Sequence, residues 1–231
     1  MDTMSKIQAL SEQEYDSDSE KRRTNKRKRK KRARRRRLTV VTLLFLVVAI
    51  FVGITIWHGM PEKDKPIPNH IEGVPVTVDL LPVGTPGRPG ETRNIKYIVI
   101  HETGNTGSNA NAAAHDSYLH KVSATEPLAW HYTVDATEIY KHLPDNEIGF
   151  HAGDKLVKNG GNLNGIGIEM CVNPENDYEQ TLLNTAALVR YLMDAYHIPL
   201  EDVKKHQDFS GKICPERLIE SGRWEEFINL I

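Results

Sequence analysis

An uncharged apolar run over residues 38–57 constrains how this chain can fold. The run, LTVVTLLFLVVAIFVGITIW, is 20 residues long and contains no Asp, Glu, Lys or Arg. As a helix it would measure about 30 Å, the thickness of a bilayer core. The following IWHGMPEK has no small-residue cleavage pattern, which favours a retained signal anchor over a cleaved signal peptide. The run therefore predicts one transmembrane helix.

An acidic and then polybasic tail, residues 1–37, precedes this run. The tail carries 15 Lys and Arg against 6 Asp and Glu, whereas the rest of the chain carries 15 basic and 25 acidic residues. Because Lys and Arg beside a membrane segment stay in the cytoplasm, we expect the tail inside and residues 77–231 outside. The basic residues can also bind anionic lipid headgroups. Nucleic-acid binding is the minor alternative for such a run, and none is expected here.

The rest of the chain predicts a linker and one domain. Residues 58–76 contain four prolines and predict an extended extracytoplasmic linker. Residues 77–231 have a length typical of a single domain. With only two cysteines the chain is not a disulfide-rich scaffold. Strand and helix patterns alternate along this domain, which predicts a mixed α/β fold with a central mixed sheet flanked by helices.

Apolar patterns predict the main elements of the domain. Ser108 is expected to cap a helix over residues 108–121 that buries Tyr118. Asp177 and Gln180 resemble a capping box at the start of a long amphipathic helix. That helix is predicted to end near residue 196, and strands are predicted over 96–101, 130–135, 138–143 and 165–172.

Three potential metal ligands lie in two distant segments. His101 ends the first predicted strand, and His206 and Cys214 flank the turn DFSGK. Imidazole and thiolate are zinc ligands, and three protein ligands leave a fourth position open, as in catalytic zinc sites. A disulfide between Cys171 and Cys214 is the competing interpretation, because cysteines outside the membrane often pair. Spacing alone leaves both open.

Glu169, in the strand GIGIEMC, offers a carboxylate for the same site. Gly167, Glu169 and Cys171 share one face of that strand, and the missing side chain of Gly167 is expected to leave room for substrate or metal. A metal with a nearby carboxylate is the minimum equipment for hydrolysing an amide. The alternative for Glu169 is a structural ion pair with a basic residue such as Lys212.

Five stretches occur in order along nearly all of residues 77–231. They are YIVIHETGNT, WHYTVD, HLPDNEIGFHAGD, NGIGIEMCVN and HQDFSGKICP. Together they resemble the type 2 group of zinc-dependent N-acetylmuramoyl-L-alanine amidases. This group includes phage and bacillus-type cell-wall amidases, and peptidoglycan-recognition proteins share its fold.

The resemblance implies roles for individual residues. It implies one zinc ion held by His101, His206 and Cys214. It also implies that Glu169 is the catalytic carboxylate and that Lys212 is a catalytic or oxyanion-stabilising residue.

The resemblance further places four residues near the substrate groove. Trp130 stands where some family members have a Tyr, and a Trp cannot act as an acid. His131, His151 and Asn164 match positions near the groove, and local hydrogen bonding is the alternative for these three. The other histidines are expected to have no catalytic role.

The expected protein is thus a membrane-anchored enzyme. The resemblance implies hydrolysis of the amide between N-acetylmuramic acid and L-alanine, with peptidoglycan as the partner and no protein partner. The expected location is the cell membrane, single-pass, with a cytoplasmic amino terminus and the catalytic domain facing the wall. A peptidoglycan-binding module without activity is the alternative. Cys214 favours the enzyme, because non-catalytic relatives typically lack this thiolate.

Overall fold

The protein is described here by a computed structural model of the 231-residue chain. The structure describes residues 23–24, 26–32, 34–52 and 63–231. The chain divides into two compact units, Met1–Met60 and Pro61–Ile231. The predictions for residues 1–22, for the end of the apolar run at 53–57 and for the start of the linker at 58–62 lie outside the described residues.

The first unit is described mainly by one helix. Residues 34–52 are helical, and their apolar side chains, such as Phe45 and Phe51, are exposed. Within the described ranges, no helix combines the length and the hydrophobicity that a bilayer crossing requires. The predicted span continues to residue 57, beyond the last described residue of this helix.

The second unit is built on a mixed β-sheet. The described residues form seven strands, β1 (His70–Ile71), β2 (Val74–Val78), β3 (Tyr97–Glu102), β4 (Tyr132–Val134), β5 (Ile139–Lys141), β6 (Gly165–Met170) and β7 (Val203–Lys205). Their spatial order is β1-β2-β5-β4-β6-β3-β7. Strands β4, β6, β3 and β7 are parallel to one another, and β5 is antiparallel to β4. The mixed α/β fold is as predicted.

Two hydrophobic clusters lie on opposite faces of this sheet. On one face, alternate strand residues such as Ile100 of β3 and Ile168 of β6 pack against Leu182 and Val189 of the long helix. A smaller cluster contains Leu119, Trp130 and others on the opposite face. Because side chains alternate along a strand, this second face also receives His101 and Glu169. The helices are α1 (Ala112–Val122), α2 (Gly161–Asn164), α3 (Tyr178–Tyr196), α4 (Gln207–Ser210), α5 (Glu216–Glu220) and α6 (Trp224–Ile228), with a 3-10 turn at Leu200–Asp202.

The long helix α3 begins where its capping residues predict. The Asp177 carboxylate accepts a hydrogen bond from the backbone N–H of Gln180 at 3.1 Å. The Gln180 side chain donates instead to Asn184, at 2.8 Å. Asp177 is therefore a side-chain N-cap, and the Gln180 side chain serves a neighbouring turn of the helix.

Helix α1 begins three residues later than the sequence predicts. Its N-cap is Asn111, whose side chain accepts from the N–H of Ala114 at 3.0 Å, while Ser108 hydrogen-bonds to Glu175. The expected burial of Tyr118 was wrong, since this side chain is 50% exposed. Leu119, one position further on, faces the core, so the buried face of the helix is not the one that contains Tyr118.

The predicted linker is also corrected, because its second half folds with the domain. The Asp64 carboxylate accepts from the buried Lys141 ammonium at 3.0 Å and from the N–H of Asp145 at 2.8 Å. Residue Ile71 is 5% exposed within the main core, and β1 and β2 extend one edge of the sheet. The proline-rich composition of this segment is typical of linkers, but here the extended backbone lies along the domain.

Candidate metal centre

The carboxyl ends of three neighbouring parallel strands bring the predicted site together. His101 of β3 is in register with Glu169 of β6, and His206 directly follows β7. In open α/β sheets, ligands bind beyond the carboxyl ends of parallel strands. The sheet thus delivers three of the predicted side chains to one edge.

The fourth, Cys214, reaches this edge through a tight turn. Helix α4 ends at Gly211, whose φ of +78° is favourable for glycine. The chain then returns, and the N–H of Gln207 donates to the carbonyl of Cys214 at 3.2 Å. The N–H of Glu102 points at the Cys214 sulfur, 3.4 Å away.

The three predicted ligands have the spacing of a metal shell. The ligand atoms of His101, His206 and Cys214 all lie within 4.8 Å of one another, and all three residues are buried. The two Nδ1 atoms are 3.0 Å apart, and the Cys214 Sγ lies 3.9 Å from His101 Nδ1. Tetrahedral zinc with bonds of about 2.0–2.3 Å separates its ligands by roughly 3.3–3.8 Å. The two separations above, 3.0 and 3.9 Å, lie within about 0.3 Å of this range, and imidazole and thiolate are zinc ligands, so the set fits a zinc ion.

The disulfide alternative is excluded by the positions of the two thiols. Cys171 and Cys214 are both free and both buried. The Cys171 sulfur lies near the imidazole of His115, at 3.8 Å, whereas the Cys214 sulfur faces His101.

Burial keeps the imidazoles neutral and the thiol protonated until a metal binds. Desolvation lowers the pKa of His101 well below its usual value, and burial followed by the charge of Lys212 lowers the pKa of His206. Burial raises the pKa of Cys214 to about 12. Neutral imidazole is the form that ligates, and metal binding displaces the thiol proton.

A second histidine fixes the orientation of His101. His101 Nε2 lies 3.0 Å from His151 Nδ1, and His151 Nε2 lies 3.3 Å from the carbonyl of Gly165. Because that carbonyl only accepts, His151 Nε2 carries the ring proton, and His151 Nδ1 accepts a hydrogen bond from the Nε2–H group of His101. This leaves the lone pair of His101 Nδ1 directed at His206 and Cys214. Metal-ligating histidines characteristically have such a partner on the other nitrogen.

The space above Gly167 is filled by His151. A Cβ on Gly167 would lie 2.7–2.8 Å from atoms of the His151 ring. The expectation that this glycine leaves room for substrate or metal was therefore wrong. Instead, Gly167 allows the imidazole of His151 to pack directly against the backbone of β6.

Glu169 has an unsatisfied carboxylate oxygen beside the ligands. Its Oε1 lies 3.8 Å from His101 Nδ1, and its Oε2 is buried without a hydrogen-bond partner. Burial raises the pKa of Glu169 to about 8, and the positive charge of Lys212 opposes this rise. Lys212 itself is exposed, and the described residues include no close Glu169–Lys212 ion pair. Glu169 is thus available for proton transfer.

A groove of about 440 Å³ opens onto Glu169. Trp130 forms part of its wall, and the Trp130 indole N–H donates to Thr133 at 2.7 Å. Of the residues that line the groove, sequence reasoning singled out only Trp130 and Glu169 for the site. The glycine-containing stretch after β3 and the polar face of α1 were the signals for the others. The lining residues are Thr103, Asn105, Ala114, His115, Tyr118, Leu128, Trp130 and Glu169.

The remaining predicted substrate contacts belong to hydrogen-bond networks. His131 is fully buried and accepts from the N–H of Gly167 at 3.1 Å. Asn164 donates to the carbonyl of Asn94 at 2.8 Å. Neither His131, Asn164 nor His151 is among the described residues that line the groove.

Arg93 is a further part of this network that sequence reasoning missed. It is 4% exposed and donates to the carbonyls of Gly165, at 2.8 Å, and Glu147, at 3.0 Å. These bonds hold the start of β6 against the loop before His151.

Three potential metal ligands, a carboxylate oxygen without a hydrogen-bond partner and an open groove lie together at the edge of the mixed sheet, an arrangement typical of metallohydrolases. The chain belongs to the Amidase_2 family, described as N-acetylmuramoyl-L-alanine amidase, which it matches over residues 91–217.

Two curated relatives and one solved structure illustrate the similarity. The chain is 43% identical over 154 residues to N-acetylmuramoyl-L-alanine amidase XlyA of Bacillus subtilis (strain 168), covering 67% of this chain and 50% of XlyA. It is 41% identical over 157 residues to CwlH of the same organism, covering 68% of this chain and 60% of CwlH. The solved catalytic domain of XlyA superimposes with a TM-score of 0.64 at 42% identity, covering 68% of this chain and 99% of that domain. The chain thus spans about half the length of the curated relatives it matches.

Proposed function

We propose that this protein is a zinc amidase that hydrolyses the bond between N-acetylmuramic acid and L-alanine in peptidoglycan. The observation that carries the proposal is the convergence of His101, His206 and Cys214 beside the unpartnered carboxylate of Glu169. Membership of the Amidase_2 family supports the substrate class.

Each side chain of the centre has a distinct role in this proposal. His101, His206 and Cys214 would hold one zinc ion, which when bound supplies a Lewis acid for amide hydrolysis. Glu169 takes a proton from the attacking water and returns it to the leaving amine. The neighbouring positive charge of Lys212 stabilises the negative charge that develops on the carbonyl oxygen as water adds to the carbonyl carbon.

The groove would orient the substrate for this reaction. Trp130 and Tyr118 offer aromatic surface on its wall, and Thr103 and Asn105 offer hydrogen-bonding groups there. Aromatic walls with a few polar groups are typical of pockets that hold amphipathic ligands. Glycopeptide strands of peptidoglycan have this chemistry.

Membrane anchoring is a second part of the proposal. It is supported by the uncharged run at 38–57 and by the polybasic residues before it. The amino terminus would be cytoplasmic and the Amidase_2 region would face the wall. Protease added to wall-stripped cells should then digest the region from residue 63 onward, and full protection of this region would reverse the orientation.

A peptidoglycan-binding module without activity is the competing function. The presence of Cys214 with both histidine ligands favours hydrolysis, because a binding module has no need of a complete ligand triad. An unpartnered, buried carboxylate oxygen next to that triad points the same way.

The test is mass spectrometry of muropeptides after digestion of purified peptidoglycan. The wild-type protein should release stem peptides with a free L-alanine amino terminus. Glu169→Gln should reduce the rate about 100-fold or more while zinc content is unchanged. Glu220→Gln, a change at an exposed position on α5, is the matched control and should keep full activity. Normal turnover by Glu169→Gln would overturn the proposed mechanism, and binding without any release would favour the binding module.

A further inference from the structure

A second group of potential metal ligands lies on the opposite side of helix α1 from the groove. Asp79 follows β2, and His142 follows the adjacent parallel strand β5. Asp116 and His120, one helical turn apart on α1, lie above these strand ends. We call these four residues the Asp116 cluster.

The Asp116 cluster has the dimensions of a metal shell. His120 Nε2 lies 3.3 Å from Asp79 Oδ1 and 3.8 Å from Asp116 Oδ1. His142 Nδ1 lies 3.2 Å from Asp116 Oδ1. Ligands at about 2.0–2.2 Å from a tetrahedral zinc ion are separated by roughly 3.3–3.6 Å.

The polar atoms that face one another in this cluster make no hydrogen bond to a residue outside it. Asp116 Oδ1, His120 Nε2 and His142 Nδ1 are each inaccessible to solvent, and none of them forms a hydrogen bond of normal geometry. Their nearest charged or titratable neighbours are the other members of the cluster. Asp116 is 8% exposed and His142 is fully buried. Buried polar atoms are nearly always satisfied, since an unsatisfied one costs about 1–3 kcal/mol. Three such atoms around one point are what a bound cation would satisfy.

The outer nitrogen of His142 is supported as in a metal ligand. His142 Nε2 lies 2.8 Å from the hydroxyl oxygen of Thr133, and this oxygen accepts from the Trp130 indole. In the tautomer with the proton on Nε2, that nitrogen donates to Thr133 and the lone pair of His142 Nδ1 faces Asp116. In the other tautomer, the Thr133 hydroxyl donates to Nε2 and the Nδ1 proton faces Asp116. A hydrogen-bonded outer nitrogen is characteristic of metal-ligating histidines.

We propose that the Asp116 cluster binds a second divalent cation of the zinc type. Two imidazoles and two carboxylates favour a first-row transition ion over Ca²⁺ or Mg²⁺, which prefer shells made wholly of oxygen. This cation would fasten α1 to the β2–β5 edge of the sheet. Through Thr133 and Trp130 it would also hold one wall of the groove. The competing explanation for these short distances is that one imidazole carries a proton and donates it to a neighbouring carboxylate of the cluster.

Zinc stoichiometry of the full-length protein in detergent tests the proposal. After chelator treatment, wild type should take up two equivalents of Zn²⁺ in a calorimetric titration. The double variant Asp116→Asn/His120→Gln should take up one equivalent, and Cys214→Ser should also take up one. Asp194→Asn/His70→Gln, at exposed positions, is the matched control and should keep two. A single equivalent in wild type, or two in Asp116→Asn/His120→Gln, would overturn the proposal.

Cobalt spectra distinguish the two sites and report folding. Co²⁺ bound with Cys214 gives a sulfur-to-metal charge-transfer band, whereas a site of nitrogen and oxygen ligands gives only ligand-field bands. Asp116→Asn/His120→Gln should keep the charge-transfer band, which also shows that it folds. Cys214→Ser should show ligand-field bands without the charge-transfer band. A combined variant that carries Cys214→Ser together with Asp116→Asn/His120→Gln should show neither kind of band. Ligand-field bands that survive in this combined variant would contradict the proposal. Loss of the Cys214 site alone would leave the second equivalent in place, so failure of the proposed function and failure of this inference are separable.

Discussion

His101 Nε2 and His151 Nδ1 lie 3.0 Å apart in the interior of the domain, and the planes of the two imidazole rings are nearly perpendicular. His101 can therefore present only one nitrogen to the metal centre. The proton that selects this nitrogen is fixed by the bond from His151 to the Gly165 carbonyl, at 3.3 Å. Metal affinity should thus depend on a residue that is not itself a ligand.

His151→Phe should weaken zinc binding about 10–100-fold, because the ring is kept while the hydrogen bond to His101 is lost. Competition with a chromophoric chelator measures this affinity. Activity should recover at excess zinc, which separates positioning from catalysis. His70→Gln, at an exposed position, is the control. An unchanged zinc affinity in His151→Phe would show that His101 is oriented by other contacts.

The two cysteines should respond oppositely to replacement by serine. Cys214→Ser should lose the zinc of the candidate metal centre, because a hydroxyl is a poor ligand in place of a thiolate. Cys171→Ser should retain it, since the Cys171 sulfur lies beside His115 and burial raises its pKa far above neutrality. Zinc content after exhaustive dialysis reports both. Equal losses in the two variants would argue against the assignment.

Gly167→Ala should destabilise the protein by about 1–3 kcal/mol, because its Cβ would meet the His151 ring at 2.7 Å. The ring must then move, and zinc affinity should fall with it. Removing the ring with His151→Ala should relieve the clash, so a double-mutant cycle should give a coupling of at least about 0.5 kcal/mol. Strictly additive effects on the unfolding free energy would mean that the two residues do not interact.

Glu169 should contribute a loss of stability to the metal-free protein as pH rises towards 8. Burial raises the folded pKa of Glu169 to about 8, whereas an unfolded Glu titrates near 4.3. Between these values the folded state binds the extra proton, so this group makes the unfolding free energy fall by up to about 1.4 kcal/mol per pH unit. Glu169→Gln removes this dependence.

Denaturant unfolding of chelator-treated protein at pH 5 and pH 9 tests this expectation. Glu169→Gln should be more stable than wild type at pH 9 and close to it at pH 5. Glu220→Gln provides the matched control, because it removes an exposed carboxylate. A difference between wild type and Glu169→Gln that does not change with pH would be inconsistent with a raised pKa.

Local sequence patterns predicted four of the seven strands in the described residues, but not β1, β2 or β7. Together with the family resemblance they also predicted the three residues that lie together as potential metal ligands. The run before His101 is a short apolar segment between turns, and β3 forms there because it is buried on both faces. Parallel pairing of β3 with β6 then places Glu169 beside His101. The strand before His101 and the position of Glu169 could therefore both be predicted from residue type and spacing, together with the family resemblance.

Local sequence patterns could not predict contacts between segments that are distant in the sequence. The segment around Asp64 has the composition of a linker, and only the buried Lys141, 77 positions away, shows why it docks. The start of α1 depends on which residue caps it. Asn111 is the N-cap, although Ser108 is an equally suitable residue type for that position. His151 has the residue type of a substrate contact, and its supporting role follows only from the bare backbone at Gly167.

The separate burial of the two thiols has a consequence for how the chain must be refolded. In an unfolded chain Cys171 and Cys214 are both exposed, and an oxidant can join them before the domain forms. Such a cross-link would hold the Cys214 sulfur away from His101, and the native packing would not be reached. Oxidised refolding should therefore yield inactive, trapped monomers, whereas a thiol reductant, or zinc supplied early enough to occupy Cys214, should raise the recovered yield.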